Sequence, residues 1–187
     1  MARKKEYKEE EVLEKAMNLF WHNSYESTSM QMLEKEMGIN KFSIYSSFGS
    51  KHGLFIECLK CYKIKVNRVL QKFKNASEGV ADIKQFFKDS IDIDGEEKKL
   101  KGCLLTNTYN EFSESEDLII REQMISFMDN LKSLFILKLK MNLDKDEETV
   151  MKQANFLLLA KHGLAAAARV NSPEEIKDYI EMTFKNI

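Results

Sequence analysis

The segment from Thr28 to Lys51, TSMQMLEKEMGINKFSIYSSFGSK, constrains the fold of this chain more than any other segment. It contains two short helical runs joined at Gly38, a residue that tolerates the positive φ with which helices often end. Two helices that cross at a tight turn need apolar residues at fixed positions around it. Four positions meet this requirement: Leu33, Met37, Ile39 and Ile44. The segment therefore predicts a helix-turn-helix, an arrangement that places its second helix in the major groove of DNA.

One position departs from that pattern. Glu34 occupies the place where a small side chain usually permits close approach of the two helices. We expect either a wider crossing or a carboxylate that points outward. The competing interpretation of the segment is a pair of helices that pack together for structural reasons alone, but the four satisfied positions favour DNA binding.

The rest of the chain is predicted to be helical, so the fold class is all-α. Apolar residues recur at spacings of three and four almost everywhere, without the alternation typical of strands. The sequence has 187 residues, 43% of them hydrophobic, and a single proline, which suits a globular helical protein. In the first part of the chain, helices are predicted over Glu9 to His22, from a cap at Thr28 or Ser29 to Gly38, from Asn40 to Phe48 and from Lys51 to about Lys74. A further helix is predicted from Gly79 onward, followed by a loop over residues 92–101. The remaining helices are predicted over Cys103 to Phe112, Leu118 to Met141, Glu148 to Val170 and Glu174 to Phe184.

The clearest helix boundary is Ser172-Pro173-Glu174-Glu175. It combines a serine cap, a proline at the first helical position and a glutamate at the capping-box position. We expect a helix to begin there.

Charge is distributed unevenly along the chain. The first 75 residues hold 14 Lys and Arg against 9 Asp and Glu, a balance of +5, whereas the remainder holds 15 against 21, a balance of −6. Positive charge in the first part suits contact with a polyanion, although chance clustering of solvated lysines is the alternative.

The compartment is predicted to be the cytoplasm. Three cysteines lack the spacing of a disulfide scaffold, and the amino terminus lacks the apolar core of a signal peptide. No apolar run reaches membrane-spanning length, so no contact with a membrane is expected.

Residues 10–55 resemble the amino-terminal domain of the TetR family of bacterial transcription regulators. The most specific part is the spacing of IYSSFGSKHGLF relative to Gly38. The matching residues are Val12, Leu13, Ala16, Leu19, Phe20, Tyr25, Thr28, Ser29, Gly38, Ile39, Ile44, Tyr45, Phe48, Lys51, Leu54 and Phe55. Three positions depart from the family pattern. Ser24 replaces the usual glycine, and Phe42 replaces a small residue. Ser46-Ser47 replace the aromatic residue or histidine that often follows the tyrosine.

The resemblance implies two domains. Residues 1–50 would form a three-helix helix-turn-helix DNA-binding domain, and residues 51–187 a helical bundle for ligand binding and dimerisation. It also implies a homodimeric repressor, released from a palindromic double-stranded DNA operator by a small-molecule effector, with the long helix from Lys51 as the mechanical link. Activation in place of repression stays open.

The resemblance also implies where DNA is contacted. Side chains at the amino end of the second helix, along the third helix and at the start of the fourth can reach phosphates or base edges. These are Ser29, Gln31, Lys41, Phe42, Ser43, Tyr45, Ser46, Ser47 and Lys51.

The last two predicted helices are candidates for pairing two copies of the chain, because leucines and small side chains allow helices to approach closely. The candidate interface residues are Phe156, Leu157, Leu164, Ala168, Ile176, Tyr179 and Ile180. A core within one copy is the alternative, and some of these residues must serve it.

An effector pocket is predicted in the middle of the chain, where aromatic and methionine residues suit an adaptable apolar cavity. The candidates are Phe86, Phe87, Cys103, Tyr109, Phe112, Met124, Phe127 and Met128. Side chains of this kind also build ordinary cores, which is the alternative for each of them.

Cys103 carries a second hypothesis. It follows Lys98, Lys99 and Lys101 and lies near a predicted helix start, and both features lower the pKa of a thiol. The segment GCLLTN also resembles one in a subgroup of the TetR family, some members of which sense reactive electrophiles through that cysteine. The alternative is a small buried apolar residue.

No enzyme, cofactor or metal site is predicted. His22, His52 and His162 are far apart in sequence, and no phosphate-binding loop or serine-elbow motif occurs. Cys58 and Cys61 share a helix face but lack a second pair of ligands. A helical interaction module that does not bind DNA is the remaining alternative.

Overall fold

The computed structural model describes residues 7–91, 102–141, 145–185 and 187. Within these ranges the chain forms nine α-helices and no strand, which confirms the predicted all-α fold class. The helices are α1 (Glu9–Asn23), α2 (Met30–Met37), α3 (Lys41–Phe48), α4 (Lys51–Asn75), α5 (Val80–Asp89), α6 (Leu104–Glu111), α7 (Leu118–Leu139), α8 (Glu147–Ala167) and α9 (Pro173–Thr183). The loop predicted for residues 92–101 lies outside the described residues.

Contacts between residues divide the chain into two compact units. Unit 1 is Met1–Ile64 and unit 2 is Lys65–Ile187, so the division falls inside α4. The predicted domains, residues 1–50 and 51–187, stay a prediction.

Unit 1 is organised around α1, whose apolar side chains recur every three or four residues and are buried. Two edge-to-face ring pairs connect α1 to the part of α4 that belongs to unit 1. The Phe20 and Phe55 ring centroids are 4.9 Å apart, and those of Trp21 and Tyr62 are 4.8 Å apart. The buried positions of α1 are Val12, Leu13, Ala16, Met17, Phe20 and Trp21.

Helix α1 ends at a strained residue. Ser24 has φ 68° and ψ 170°, and no other non-glycine residue among those described has a positive φ. The Cβ atom crowds the backbone in this region, which is almost confined to glycine and costs other residues about 1–3 kcal/mol. Two hydrogen bonds hold the conformation: the Ser24 amide donates to the Phe20 carbonyl at 2.9 Å, and the Thr28 hydroxyl donates to the Ser24 carbonyl at 2.6 Å.

We expect Ser24→Gly to stabilise unit 1 by about 1 kcal/mol, because relief of the strain exceeds the extra backbone entropy that glycine loses on folding. Urea denaturation followed by Trp21 fluorescence measures this, since the chain has one tryptophan and it is buried in unit 1. Ser24→Ala is the matched control and should give no gain, since alanine keeps the Cβ. Equal stabilities for the glycine and alanine variants would contradict the assignment of strain.

Unit 2 packs around α8, which contacts α6, α7 and α9. Its aromatic core brings Phe73 of α4 against Phe86 of α5, with 4.7 Å between ring centroids, and both rings lie 6.0 Å from Phe135 of α7. The remaining buried members of this core are Ile83, Phe87, Leu131, Leu139, Val150, Ala154, Leu157, Ala160, Leu164, Ala168, Ile176 and Ile180.

A buried ion pair ties several elements of unit 2 together. Lys138 Nζ of α7 lies 3.1 Å from Asp82 Oδ2 of α5, and the two side chains are 1% and 7% exposed. The same ammonium donates to the carbonyls of Lys74, at 3.4 Å, and Ala76, at the carboxyl end of α4. Asp82 in turn accepts from the Gly79 amide at 3.0 Å, at the amino end of α5. This cluster satisfies helix-end groups that would otherwise be buried without partners.

Helix α9 begins as the sequence predicts. The Ser172 hydroxyl accepts from the Glu175 amide at 3.3 Å, and the Glu175 carboxylate accepts from the Ser172 amide at 2.8 Å. Pro173 occupies the first helical position. The predicted capping box is therefore confirmed.

Candidate nucleic-acid interface

Side-chain caps fix the ends of α2 and α3. The Ser29 hydroxyl accepts from the Met32 amide at 3.2 Å and caps α2. Gly38 ends α2 with φ 70°, in the left-handed region that favours glycine. Asn40 Oδ1 accepts from the Ser43 amide at 2.8 Å and caps α3. These three positions produce the short turn that the sequence predicts.

The inner faces of α2 and α3 are apolar. Leu33 and Ile44 are fully buried, and Met37 and Phe48 are nearly so. Ile39, in the turn, is partly buried. The positions that should pack between the two helices therefore do so.

Glu34 has a role that neither sequence-based alternative anticipated. Its carboxylate accepts a hydrogen bond from the Lys41 backbone amide, in the first turn of α3. An acidic group at the amino end of a helix also interacts favourably with the helix dipole. Glu34 therefore caps α3 instead of pointing away from it.

One side of α3 is left exposed. Lys41, Phe42, Tyr45 and Ser46 are exposed, whereas Ser43 and Ser47 are partly buried. Phe42 is 81% exposed and Tyr45 is 41% exposed. We call these four exposed residues the α3 face. Sequence analysis assigns all four to DNA contact, and the structure brings them together on one side of the helix.

The other predicted DNA-contact residues differ in their exposure and in their contacts with other side chains. Ser29 and Gln31 are exposed at the amino end of α2. The Ser47 hydroxyl lies 2.6 Å from the Tyr7 hydroxyl, a bond between α3 and the segment before α1. Lys51 places its ammonium 4.4 Å from the centre of the Tyr25 ring. Ser47 and Lys51 thus have partners within unit 1.

The electrostatics of α3 suit an anionic partner. The helix contains no acidic residue. Lys41 carries the positive charge of the α3 face, and its ammonium lies 5.6 Å from the centre of the Tyr45 ring. The nearby Glu34 carboxylate is engaged by the α3 backbone.

The predicted effector-pocket residues are only partly brought together. A small cavity of about 140 Å³ in unit 2 is lined by Tyr109, Phe112, Ser113, Arg121, Met124 and Ile125. Three of these residues were predicted. Ser113, Arg121 and Ile125 were not, because the prediction rested on aromatic residues, methionines and Cys103. Phe86 and Phe87 lie in the aromatic core, Met128 is buried and Phe127 is partly buried.

Most of the predicted dimer-interface residues are buried in the core of one copy, and only two have exposed surface. Within unit 2, Leu157, Leu164, Ala168, Ile176 and Ile180 belong to the core. Phe156 is 50% exposed, and Tyr179 is partly buried with its hydroxyl donating to the Ala160 carbonyl at 2.9 Å.

A different set of residues gives α8 an exposed apolar stripe. Phe156, Leu159, Gly163 and Ala166 are all exposed and are separated by three, four and three residues. That spacing keeps them on one face and is the pattern of helices that pair along their length. Leu159 is 67% exposed. We call these four residues the α8 stripe.

An open cavity lies near the amino-terminal end of the α8 stripe. It measures about 340 Å³ and is lined by Lys152, Gln153, Phe156, Met182, Thr183 and Ile187. Met182 of α9 is 64% exposed, so α9 extends the apolar surface beside α8. Sequence periodicity could not separate Leu159 and Met182 from their buried neighbours, because α8 is apolar on several sides.

Cys103 lies immediately before α6 and is buried against α8. A Cβ at Gly102 would lie 2.2 Å from the Ala165 carbonyl oxygen, so only glycine permits this approach. Lys161 of α8 is also buried, and this burial lowers its pKa, while the charge of Cys103 acts in the opposite direction. Lys161 has no carboxylate partner among the residues that the structure describes.

The sequence hypothesis for Cys103 relied on the lysines that precede it. Lys98, Lys99 and Lys101 lie outside the described residues. Among the described residues, Lys161 lies near Cys103 although more than fifty residues separate them in sequence, and its burial lowers its pKa and so disfavours the charged form.

Other binding chemistry has little support in the described part of the chain. No group of three His, Cys, Asp or Glu side chains there could hold a metal ion. Burial raises the pKa of the Cys58 thiol, which donates to the Leu13 carbonyl at 3.8 Å. None of the helices described is both long and apolar enough to span a membrane.

Comparison with known sequences places the α2–α3 segment in a family. Residues 12–58 match the sequence model for bacterial regulatory proteins of the tetR family. YezE, an uncharacterized HTH-type transcriptional regulator of Bacillus subtilis, is 29% identical over 109 residues, which cover 58% of this chain and 56% of YezE. IcaR, the HTH-type negative transcriptional regulator of the biofilm operon icaADBC in Staphylococcus aureus, is 28% identical over 105 residues, 56% of each chain. The chain matches about half the length of these curated relatives.

A solved structure extends the comparison over the whole fold. CifR, a TetR family transcriptional regulator solved as a cysteine mutant in complex with a 26-base-pair double-strand operator DNA, matches with a TM-score of 0.82. The match covers 99% of both chains at 22% identity, so it establishes the fold alone. The family's sequence model spans α1, both helices of the turn and the start of α4, and the full chain has the helical fold of a TetR regulator. The resemblance seen in the sequence is thereby confirmed: residues 12–58 match the sequence model of the tetR family, and the chain is similar in fold to a TetR family regulator.

Proposed function

We propose that this protein is a homodimeric transcription repressor that binds a double-stranded DNA operator through α2 and α3 and leaves it when a small-molecule effector binds unit 2. The observation that carries the proposal is the α3 face. Four side chains of α3 are exposed and carry no negative charge, while Ile44 and Phe48 anchor the opposite side of the helix. A helix presented in this way fits the major groove.

Each exposed group has a role that its chemistry allows. The Lys41 ammonium and the Tyr45 and Ser46 hydroxyls can bond to phosphates or base edges. Ser29 and Gln31 lie at the amino end of α2, where backbone amides also favour phosphate. The relatives are consistent with these roles, since CifR is solved with operator DNA and IcaR is a negative regulator.

Dimerisation follows from the unpartnered α8 stripe. A helix-turn-helix of this size gains affinity by binding two half-sites at once, which requires two copies of the chain and suits a palindromic operator. The stripe and Met182 supply an exposed apolar surface for pairing. This assignment replaces most of the sequence-predicted interface residues with their outward-facing neighbours and retains Phe156.

Effector control is assigned to unit 2. The cavity between Tyr109, Phe112 and Met124 has a mostly apolar lining and one cation, Arg121. An effector there must bind the released conformation more tightly than the DNA-bound one. To shift nearly all of the protein from the DNA-bound to the released conformation, the effector must bind the released conformation more favourably by about 5.5 kcal/mol. Helix α4 includes residues of both units and is the proposed mechanical link.

Selection from fragmented genomic DNA of the source organism tests the proposal. We expect the purified protein to enrich a small set of duplexes that contain inverted repeats. Lys41→Glu should lower retention at least about tenfold, because it removes one phosphate contact in each half-site and adds repulsion. Lys88→Glu, an exposed lysine of α5, is the matched control and should retain the duplexes. If no duplex is enriched, the helical interaction module becomes the better interpretation.

A thiol-based electrophile-sensing repressor is the second candidate, favoured by the buried Lys161 beside Cys103. A Lys161 ammonium would stabilise a Cys103 thiolate, the reactive form of cysteine, whereas the burial that lowers the Lys161 pKa opposes that charge. N-ethylmaleimide would then add to the Cys103 sulfur through its carbon–carbon double bond, and the adduct would release DNA. We expect Cys103→Ser to block this release and Cys61→Ser, which removes a partly exposed thiol, to leave it intact. Equal release from wild type and Cys103→Ser would end this candidate.

A further inference from the structure

The α3 face leaves a large aromatic ring in solvent. Phe42 is 81% exposed, the most exposed aromatic side chain reported for the described residues. It is the second residue of α3, and the amino-terminal residues of a recognition helix are those that contact base edges. An exposed aromatic ring at that position is available to contact a base edge.

The polar side chains of α3 include few that can form bidentate hydrogen bonds to a base. The helix, KFSIYSSF, contains no arginine, asparagine, glutamine, aspartate or glutamate. Asn40, the amide side chain at its amino end, is used as the helix cap. Ser43 and Ser47 are partly buried, and Ser47 bonds to Tyr7. The usual bidentate partners of guanine and adenine are therefore absent from α3, apart from the single ammonium of Lys41.

The base group that best complements the Phe42 ring is an apolar one. In the major groove, thymine is distinguished by its 5-methyl group, which apolar side chains such as phenylalanine contact. The Lys41 ammonium beside Phe42 supplies the charge complementarity that holds a duplex against this surface. We propose that Phe42 recognises the 5-methyl group of a thymine in each operator half-site and supplies much of the base discrimination of α3. This inference rests on the proposed DNA-binding function.

Replacing thymine with uracil tests the inference directly, because it removes the methyl group and keeps the base pair. Duplexes recovered by wild-type protein from a random-sequence library would be resynthesised with uracil at single thymine positions and at symmetry-related pairs. We expect wild type to bind roughly fourfold more weakly for each methyl group lost, and about 15-fold more weakly for a pair, from the value of burying one methyl group. The sensitive positions should occur once in each half-site.

Three variants identify the side chain responsible. Phe42→Ala should bind the thymine and uracil duplexes equally, and Phe42→Leu should retain part of the difference. Ser46→Ala removes a hydroxyl from the same face; it can weaken binding to both duplexes but should keep the full ratio between thymine and uracil affinities. Phe42→Ala should fold normally, because the ring is exposed and alanine favours helix; thermal melting checks this.

The outcomes separate this inference from the function on which it rests. Retention of duplexes with no thymine–uracil difference, or with a difference that persists in Phe42→Ala, overturns the role of Phe42 and leaves the DNA-binding function standing. Failure to recover any duplex overturns both, and would assign the exposed ring to a protein partner.

Discussion

Lys138→Met is expected to destabilise the protein by about 3–5 kcal/mol. The substitution leaves Asp82 buried without its ion-pair partner and removes the donor that serves the Lys74 and Ala76 carbonyls. Removing one partner of a buried ion pair lowers the free energy of unfolding by about this amount, because the remaining charge stays desolvated. Urea denaturation followed by far-ultraviolet circular dichroism measures the loss across the helical chain.

A matched control lies at Lys140, the residue that follows the end of α7. Lys140 pairs with Glu147 at 3.3 Å, but both side chains are exposed. Lys140→Met should therefore leave stability unchanged within error. Adding Asp82→Asn to Lys138→Met should recover part of the loss, since asparagine carries no charge and can still accept from the Gly79 amide. If Lys138→Met lowers the free energy of unfolding no more than Lys140→Met does, the Lys138–Asp82 ion pair does not stabilise the protein.

Leu159→Glu should convert the proposed dimer to a monomer at micromolar concentration and weaken binding to a selected duplex at least about 100-fold. Two linked half-site contacts bind far more tightly than one, because the second contact is made within the complex. Leu159 lies in the middle of the α8 stripe, where a charge would be desolvated on pairing. Sedimentation equilibrium measures the mass, and fluorescence anisotropy measures the affinity for a selected duplex.

Leu137→Glu is the corresponding control. Leu137 of α7 is 55% exposed and lies outside the α8 stripe, so its replacement should preserve both the dimer and DNA affinity. A monomeric wild type, or a Leu159→Glu protein that remains dimeric, would contradict the proposed interface.

Local signals allowed much of the fold to be predicted from the sequence. The caps at Ser172 and Asn40 and the turn at Gly38 act through neighbouring residues, so their chemistry can be read without knowing the tertiary structure. Ser24 was recognised as an unusual helix end because glycine usually occupies that position in the family. Its positive φ explains why.

Interactions between residues distant in sequence could not be predicted. Lys138 and Asp82 are 56 residues apart, and each would ordinarily be placed on the surface. Glu34 was expected either to widen the helix crossing or to point its carboxylate outward, whereas its length lets it reach the Lys41 amide across the turn. In both cases a polar side chain satisfies backbone groups that become apparent only after the helices are assembled.

The candidate sites differ in how well sequence could locate them. The residues of the α3 face were predicted to contact DNA from the resemblance to the TetR family. Their exposure follows from the burial of Ile44 and Phe48 on the other side of this short helix. The α8 stripe was confused with the core because α8 is apolar on several sides. Leu157 is buried and Leu159 is exposed, although they are separated by one residue. Only packing against α7 and α9 distinguishes them.

Salt-dependent binding to duplex DNA tests the central claim most directly. Fluorescence anisotropy would follow wild-type protein and Lys41→Glu on one selected duplex and on an unrelated duplex of the same length. We predict tight, sequence-dependent binding by wild type that weakens about 100-fold between roughly 50 and 200 mM salt, as expected for about four phosphate contacts, with a smaller salt slope for Lys41→Glu. Binding that is absent, insensitive to salt, or equal for the two proteins would contradict the assignment of α3 as a DNA-reading helix.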